Sequence, residues 1–136
     1  MQIFDLVKNP FIDKEHFTNV FNISTTLRDE NGMTVAMHIA KQDYIPIYEA
    51  WGHDSSIVDK DGMTVAMHIV QSAKFGVPCK TIPEKWRHDP NLQNKKGMTV
   101  AMICAVRKIV PPGYFLKDYD SSLRNSDGLT YAMLCI

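Results

Sequence analysis

Three cysteines and five histidines are the side chains of this 136-residue chain best suited to catalysis or metal binding. Cys79, Cys104 and Cys135 are odd in number and lack Cys-x-x-Cys spacing, so they indicate neither a disulfide framework nor a zinc knuckle. Cys104 and Cys135 each stand five residues after a threonine of a repeated motif, and we interpret both as small core residues. Because no nucleophile elbow, phosphate-binding loop or paired-carboxylate motif is present either, we expect no enzymatic activity.

Four of the histidines occupy equivalent places in successive copies of the motif. His38 pairs with His68 in this way, and His53 pairs with His88. Stacked helices would hold the members of each pair roughly 10 Å apart. That separation is too large for one metal ion, whose nitrogen ligands lie about 2.0–2.1 Å away. We therefore expect no metal and no cofactor, and interpret His38 and His68 as exposed residues that contact a partner.

Seven of the eight methionines belong to the same motif. Such a series is compatible with copper ligation or with an adaptable binding groove, because thioethers are soft and flexible. The alternative is that equivalent methionines stack into one continuous core, and we favour it for the second methionine of each copy. The predicted core residues are Met37, Met67, Met102 and Met133, and those predicted to be partly exposed beside a binding surface are Met33, Met63 and Met98.

The motif itself is Gly-Met-Thr-Val-Ala-Met, present three times, with a fourth copy reading Gly-Leu-Thr-Tyr-Ala-Met. From the polar run that opens each copy to its threonine the distance is always ten residues, whereas the stretch that follows varies from 20 to 25. A constant segment followed by a variable one predicts a rigid element followed by tolerant loops. The motif glycines, predicted to have a structural role in turns, are Gly32, Gly62, Gly97 and Gly128.

The constant segment predicts a turn followed by a helix. An Asp or Asn stands three residues before each glycine, as in a type I turn with Asx first and glycine fourth. The motif threonine is then a helix N-cap, and the apolar run after it, such as residues 35–40, forms a short helix. Aromatic residues at Phe21, Trp51 and Trp86 indicate a second helix in each unit. In the third unit Lys117 takes the aromatic position, and Pro111-Pro112-Gly113 delays the second helix, leaving about one turn from Tyr114 to Lys117.

This arrangement resembles the ankyrin repeat, most closely at Asp89-Pro-Asn91-Leu-Gln-Asn94-Lys-Lys-Gly97-Met-Thr99 and at Gly52-His53-Asp54. The resemblance implies an all-α fold, an ankyrin-like repeat solenoid of helix pairs joined by β-turn hairpin loops. Where the family has a histidine that links helices, this chain has methionine, so we expect a core held more by packing. The implied single domain, residues 1–136, comprises an N-terminal helical cap (1–23), three repeats (24–53, 54–88, 89–119) and a partial C-terminal repeat (120–136).

The turn tips differ in sequence while their frame is constant, as a recognition surface requires. We expect a non-catalytic protein-binding module, an inhibitor or adaptor of the effector type made by viruses, phages or bacteria. The alternative interpretation, that the tip residues are only solvated, stays open. The residues predicted to contact the partner are Glu30, Asn31, Met33, His38, Lys60, Asp61, Met63, His68, Lys95, Lys96 and Met98.

Charge leaves a second function open. The formal net charge is zero, but residues 1–70 carry five basic against ten acidic side chains, and residues 71–108 carry eight against two. The basic stretch 74–108 is the basis for an alternative, nucleic-acid binding, which the neutral net charge disfavours. We also predict self-association through the C-terminal face, where the sequence reaches Ile136 without a polar closing helix. The absence of a long apolar segment or signal peptide indicates a cytoplasmic protein without a membrane partner.

Overall fold

A computed structural model describes residues 28–41, 55–72 and 87–136 of the chain. These residues form four α-helices: α1 (Val35–Ala40), α2 (Val65–Gln71), α3 (Val100–Arg107) and α4 (Tyr131–Leu134). A 3-10 helix, Gly113–Phe115, lies between α3 and α4. The described part contains no β-strand, only an isolated antiparallel bridge between Arg28 and Thr34. The expected cap (1–23) and the aromatic positions Phe21, Trp51 and Trp86 lie outside the described residues.

All four α-helices begin at the motif threonine, as the sequence predicts. The hydroxyl of Thr34 accepts a hydrogen bond from the Met37 N–H, and the Thr99 hydroxyl accepts one from the Met102 N–H. The threonine that precedes α2 and the one that precedes α4 do the same. An N-cap hydroxyl satisfies one of the free N–H groups in the first turn, which fixes where each short helix starts.

The core lies between consecutive helices, because α1 packs on α2, α2 on α3, and α3 on α4. Helices of four to eight residues are not stable alone, so this packing must stabilise them. The core prediction is confirmed for Met37, Met67 and Met102, which are completely buried. Cys104 is also buried as a small core residue.

Two core predictions are wrong at the C-terminal helix. Met133 and Cys135 are both exposed, although their counterparts in the preceding units are buried. The physical reason is that α4 packs on α3, and among the described residues no further helix packs on its other face. The helix-forming pattern is therefore retained in the fourth copy without the burial that it predicts.

The third unit also differs in detail from its prediction. The expected turn of helix from Tyr114 to Lys117 is a 3-10 helix at Gly113–Phe115 followed by a non-helical turn. Pro112, immediately before this helix, is extended. The helical turn therefore begins at Gly113, one residue earlier than expected. Phe115 is fully buried there and attaches the segment to the core.

Candidate functional site

The candidate site is the set of four turns at residues 29–32, 59–62, 94–97 and 125–128, here called the turn row. In the first turn the Gly32 N–H donates to the Asp29 carbonyl at 3.0 Å, which closes the predicted four-residue turn. One carboxylate oxygen of Asp29 accepts the N–H groups of Asn31 and Met33. The same three bonds recur in the other turns, so the prediction of Asx-initiated turns is confirmed.

Main-chain hydrogen bonds connect each turn to the next. The N–H of Lys60 donates to the carbonyl of Asn31, and the N–H of Lys95 donates to the carbonyl of Asp61, both at 3.0 Å. The N–H of Ser126 donates to the Lys96 carbonyl at 2.9 Å. These links use only backbone atoms, so they are independent of the side chains of Lys60, Lys95 and Ser126, which provide the N–H groups.

The motif glycines make this close approach possible. All four have φ between 73° and 79°, a region that residues with a Cβ adopt only with strain. A Cβ on Gly97 would lie only 2.8 Å from the Asn125 Cα of the next turn. Gly128 has the same φ, but no atom lies within 4 Å of the corresponding position.

The turn row exposes its middle residues, here called the tip residues. Six predicted contact residues belong to this exposed group, together with Ser126 and Asp127 of the last turn. Their charges change along the row, from acidic in the first turn to doubly basic in the third. The predicted contact residues that the structure brings together in this way are Glu30, Asn31, Lys60, Asp61, Lys95 and Lys96.

The methionine after each glycine is less accessible than the tips. Met63 and Met98 are half-buried, as expected, and their sulfur atoms accept hydrogen bonds from the side-chain amides of Asn94 and Asn125. The expectation of partial exposure is wrong for Met33, which is buried in the core cluster. It therefore supports the first turn from beneath and offers little surface for contact.

The prediction that His38 and His68 are exposed is also wrong. Both are buried, and each Nε2 lies 2.8 Å from a carboxylate oxygen of the turn that precedes its helix, Asp29 for His38 and Asp59 for His68. An ionised carboxylate only accepts hydrogen bonds, so in both pairs the histidine Nε2–H donates. These histidines therefore attach the helices to the turns.

Opposing effects of burial and hydrogen bonding determine the pKa values in these pairs. Burial lowers the pKa of His68, outweighing the hydrogen bond and negative charge of Asp59, which raise it; Lys41 and His38 lower it further. Burial alone would raise the pKa of Asp29, but the hydrogen bonds from His38 and two backbone N–H groups outweigh it, and the pKa falls. The folded state therefore favours neutral His68 and ionised Asp29.

A signal in the sequence could have revealed these pairs. The two turns that begin with Asp are followed by helices that carry His at the fourth position after the threonine. The two turns that begin with Asn, Asn94 and Asn125, are followed by Ile103 and Leu134 at that position. The matched change at both positions among the four copies indicates that the two side chains are in contact.

Two further polar links were not predicted. The Thr64 hydroxyl lies 2.9 Å from His88 Nε2, and the Thr99 hydroxyl lies 3.0 Å from the Tyr119 hydroxyl. His88 and Tyr119 both stand immediately before the polar run of the next copy. Polar links to the motif threonines are therefore present here at a position other than the one at which the family has its histidine.

The hydrogen bonds of His88 indicate its tautomer. Its Nδ1 lies 2.8 Å from the Asp89 carbonyl, which can only accept, so Nδ1 carries the proton. Nε2 of the neutral ring then accepts the hydrogen bond of the Thr64 hydroxyl, while the oxygen of that hydroxyl accepts the Met67 N–H. Burial lowers the pKa of His88, outweighing the bond to Asp89, which is consistent with a neutral ring.

The basic stretch 74–108 is distributed over different environments in the described residues. Arg87 lies over the ring of Tyr114, with its guanidinium carbon 5.3 Å from the centroid. Lys95 and Lys96 are tip residues, and Lys108 is exposed at the end of α3. Lys80 and Lys85 lie outside the described residues. In the described part, no three His, Cys, Asp or Glu side chains are grouped closely enough to bind a metal ion.

No protein-family model matches the chain, and comparison with curated proteins finds no match. In the described ranges, no helix has the length and apolar character needed to cross a membrane.

Proposed function

We propose that the chain is an ankyrin-like repeat solenoid that acts as a non-catalytic protein-binding module, an inhibitor or adaptor whose contacts lie on the turn row. The observation that carries this proposal is the set of main-chain bonds between consecutive turns, exemplified by Lys95 N–H to the Asp61 carbonyl. These bonds hold the exposed tip residues at fixed spacing, so a partner can bind them without the entropy loss of ordering loops.

The charges of the tip residues indicate which kind of protein surface would be complementary to the turn row. Glu30 belongs to the first turn, whereas Lys95 and Lys96 are adjacent in the third, so the two ends of this stretch attract opposite charges. A protein surface with a basic patch beside an acidic patch is complementary to this order. Nucleic acid offers phosphate charge of one sign only, which is why a protein partner is favoured.

The experiment is affinity capture from cells with two matched variants. Lys95→Glu with Lys96→Glu reverses two tip charges, and Lys108→Glu with Lys117→Glu makes the same change in net charge at exposed positions outside the turn row. The first variant should no longer capture the bound protein, whereas the second should retain it. Circular dichroism should show that both variants are folded.

Two outcomes would contradict the proposal. Equal retention of the same proteins by both variants would exclude the turn row as the contact surface. Capture that disappears after nuclease treatment, with direct binding that weakens steeply as salt rises, would instead support nucleic-acid binding.

A further inference from the structure

A segment of the third unit outside the turn row has the features of a recognition motif. It is Pro111-Pro112-Gly113-Tyr114, in which the two prolines lie between α3 and the 3-10 helix, and Gly113 and Tyr114 are the first two residues of that helix. Val110, immediately before it, is 85% exposed, and Tyr114 is 41% exposed. A valine and a tyrosine therefore face solvent at either end of a half-buried proline pair.

The proline pair has the conformation of a polyproline II helix. Pro112 has φ −57° and ψ 137°, close to the values of that helix. The ring of Pro111 fixes its own φ, and the proline that follows disfavours a helical ψ, so we expect this residue to be extended as well. Neither proline has an N–H group, and among the residues that the structure describes no donor bonds the carbonyls of Val110 and Pro111.

The residues after the prolines hold the motif in place. The Phe115 N–H donates to the Pro112 carbonyl at 2.9 Å, and the Phe115 side chain is completely buried. The ring of Tyr114 contacts Phe115 edge to face at 5.2 Å between centroids, with Arg87 on its face. The motif is thus ordered before any partner binds, which lowers the entropy cost of binding.

We propose that residues 111–114 form a second protein-recognition site, which binds a domain of the WW class. Such domains take polyproline II segments into a groove lined by aromatic side chains, which stack on the proline rings. Tyr114, two residues beyond the pair, presents a ring and a hydroxyl for an adjacent pocket. SH3 domains take Pro-x-x-Pro ligands, and Tyr114 stands where the second proline would be needed, so the WW class is favoured.

The test is a titration of the full chain with an isolated WW domain that binds Pro-Pro-x-Tyr peptides, followed by calorimetry and by amide NMR shifts. Binding should shift the amides of Gly113, Tyr114 and Phe115 and leave those of Lys95 and Lys96 unchanged. Pro111→Ala and Tyr114→Ala should each weaken binding by at least about tenfold, because each removes a group that fills a pocket.

Two control variants separate this site from other surfaces. Val106→Ala removes an exposed apolar side chain of α3 outside the motif, and Lys95→Glu with Lys96→Glu changes the turn row; both should bind the WW domain like the unaltered chain. Tyr114→Ala also removes ring contacts, so the thermal unfolding of each variant must be measured as well. If a variant does not fold, the amide shifts of the unaltered chain on addition of the WW domain test the proposal instead. No binding by the unaltered chain, or binding that survives both motif substitutions, overturns the proposal, as does binding by an SH3 domain alone.

Discussion

The residue that begins each turn determines which side chain its helix can bury. An aspartate uses one carboxylate oxygen for two backbone N–H groups, and its other oxygen needs a further donor, which His68 provides for Asp59. An asparagine has an amide in that place and donates instead, as Asn94 does to the sulfur of Met63. The helix position is then free to carry an apolar residue such as Ile103, which is buried.

This exchange predicts a coupling between two positions. His68→Ile alone leaves a buried oxygen of Asp59 without its donor, which should cost about 1–3 kcal/mol. Adding Asp59→Asn should restore part of that loss, since the new amide can donate to Met33 as Asn94 does to Met63. The double variant should be more stable than the sum of the single changes predicts, by at least about 0.5 kcal/mol in urea unfolding.

A control pair tests whether this coupling is specific. Met133→Ala changes an exposed residue on α4, which packs on α3, so its effect should simply add to that of His68→Ile. If the effects of Asp59→Asn and His68→Ile on the free energy of unfolding were also additive, this result would contradict the contact between the two side chains.

The buried histidines make stability depend on pH. Burial lowers the pKa of His68 and of His88, so below the ordinary histidine value of about 6.5 the unfolded chain takes up protons before the folded chain does. Their contribution to stability is complete above that pH and declines as the pH falls from it toward the folded-state pKa. Urea unfolding between pH 7.5 and 5.5 should show this loss, and the Asp59→Asn, His68→Ile variant should lose less than the unaltered chain.

The motif glycines can have two roles in the turns, a positive φ and a close contact with the next turn, and these roles can be separated. Gly97 and Gly128 share a positive φ, but only Gly97 faces the backbone of another turn. Gly128→Ala should therefore cost only the conformational strain, about 1–2 kcal/mol. Gly97→Ala should cost clearly more, because the Asn125 backbone must also move. Chemical unfolding of the two variants measures the difference, and equal losses would mean that the turn-to-turn contact contributes nothing.

Local sequence predicted some structural elements but not the contacts between distant ones. The turns, the threonine N-caps and the helix α1 were predicted correctly, because each depends on side chains within a few residues of one another. The burial of His38 was not, since its partner Asp29 lies nine residues away across the turn. Likewise Met133 carries the local pattern of Met102, but its exposure depends on which helices pack beside it. The exposure of the tip residues was predicted. The main-chain links between the turns were not, because they join residues about 30 positions apart and leave no local pattern in the sequence.

Across the whole molecule, stability should vary along the chain. The helix α2 packs on both α1 and α3, whereas α4 packs on α3 alone among the described helices. In arrays whose units contact only their neighbours, stability depends on the number of such interfaces. Hydrogen exchange should therefore be slower in Val65–Gln71 than in Tyr131–Leu134. Similar protection of both helices would indicate a single cooperative unit.

The main-chain links between turns determine which substitutions the turn row can accept in evolution. Lys60, Lys95 and Ser126 provide the linking N–H groups, yet the bonds are independent of their side chains. Any residue other than proline can provide the same N–H group. Substitutions at these positions can therefore alter the charge and shape of the proposed contact surface at little cost in folding, one residue at a time and on an unchanged backbone.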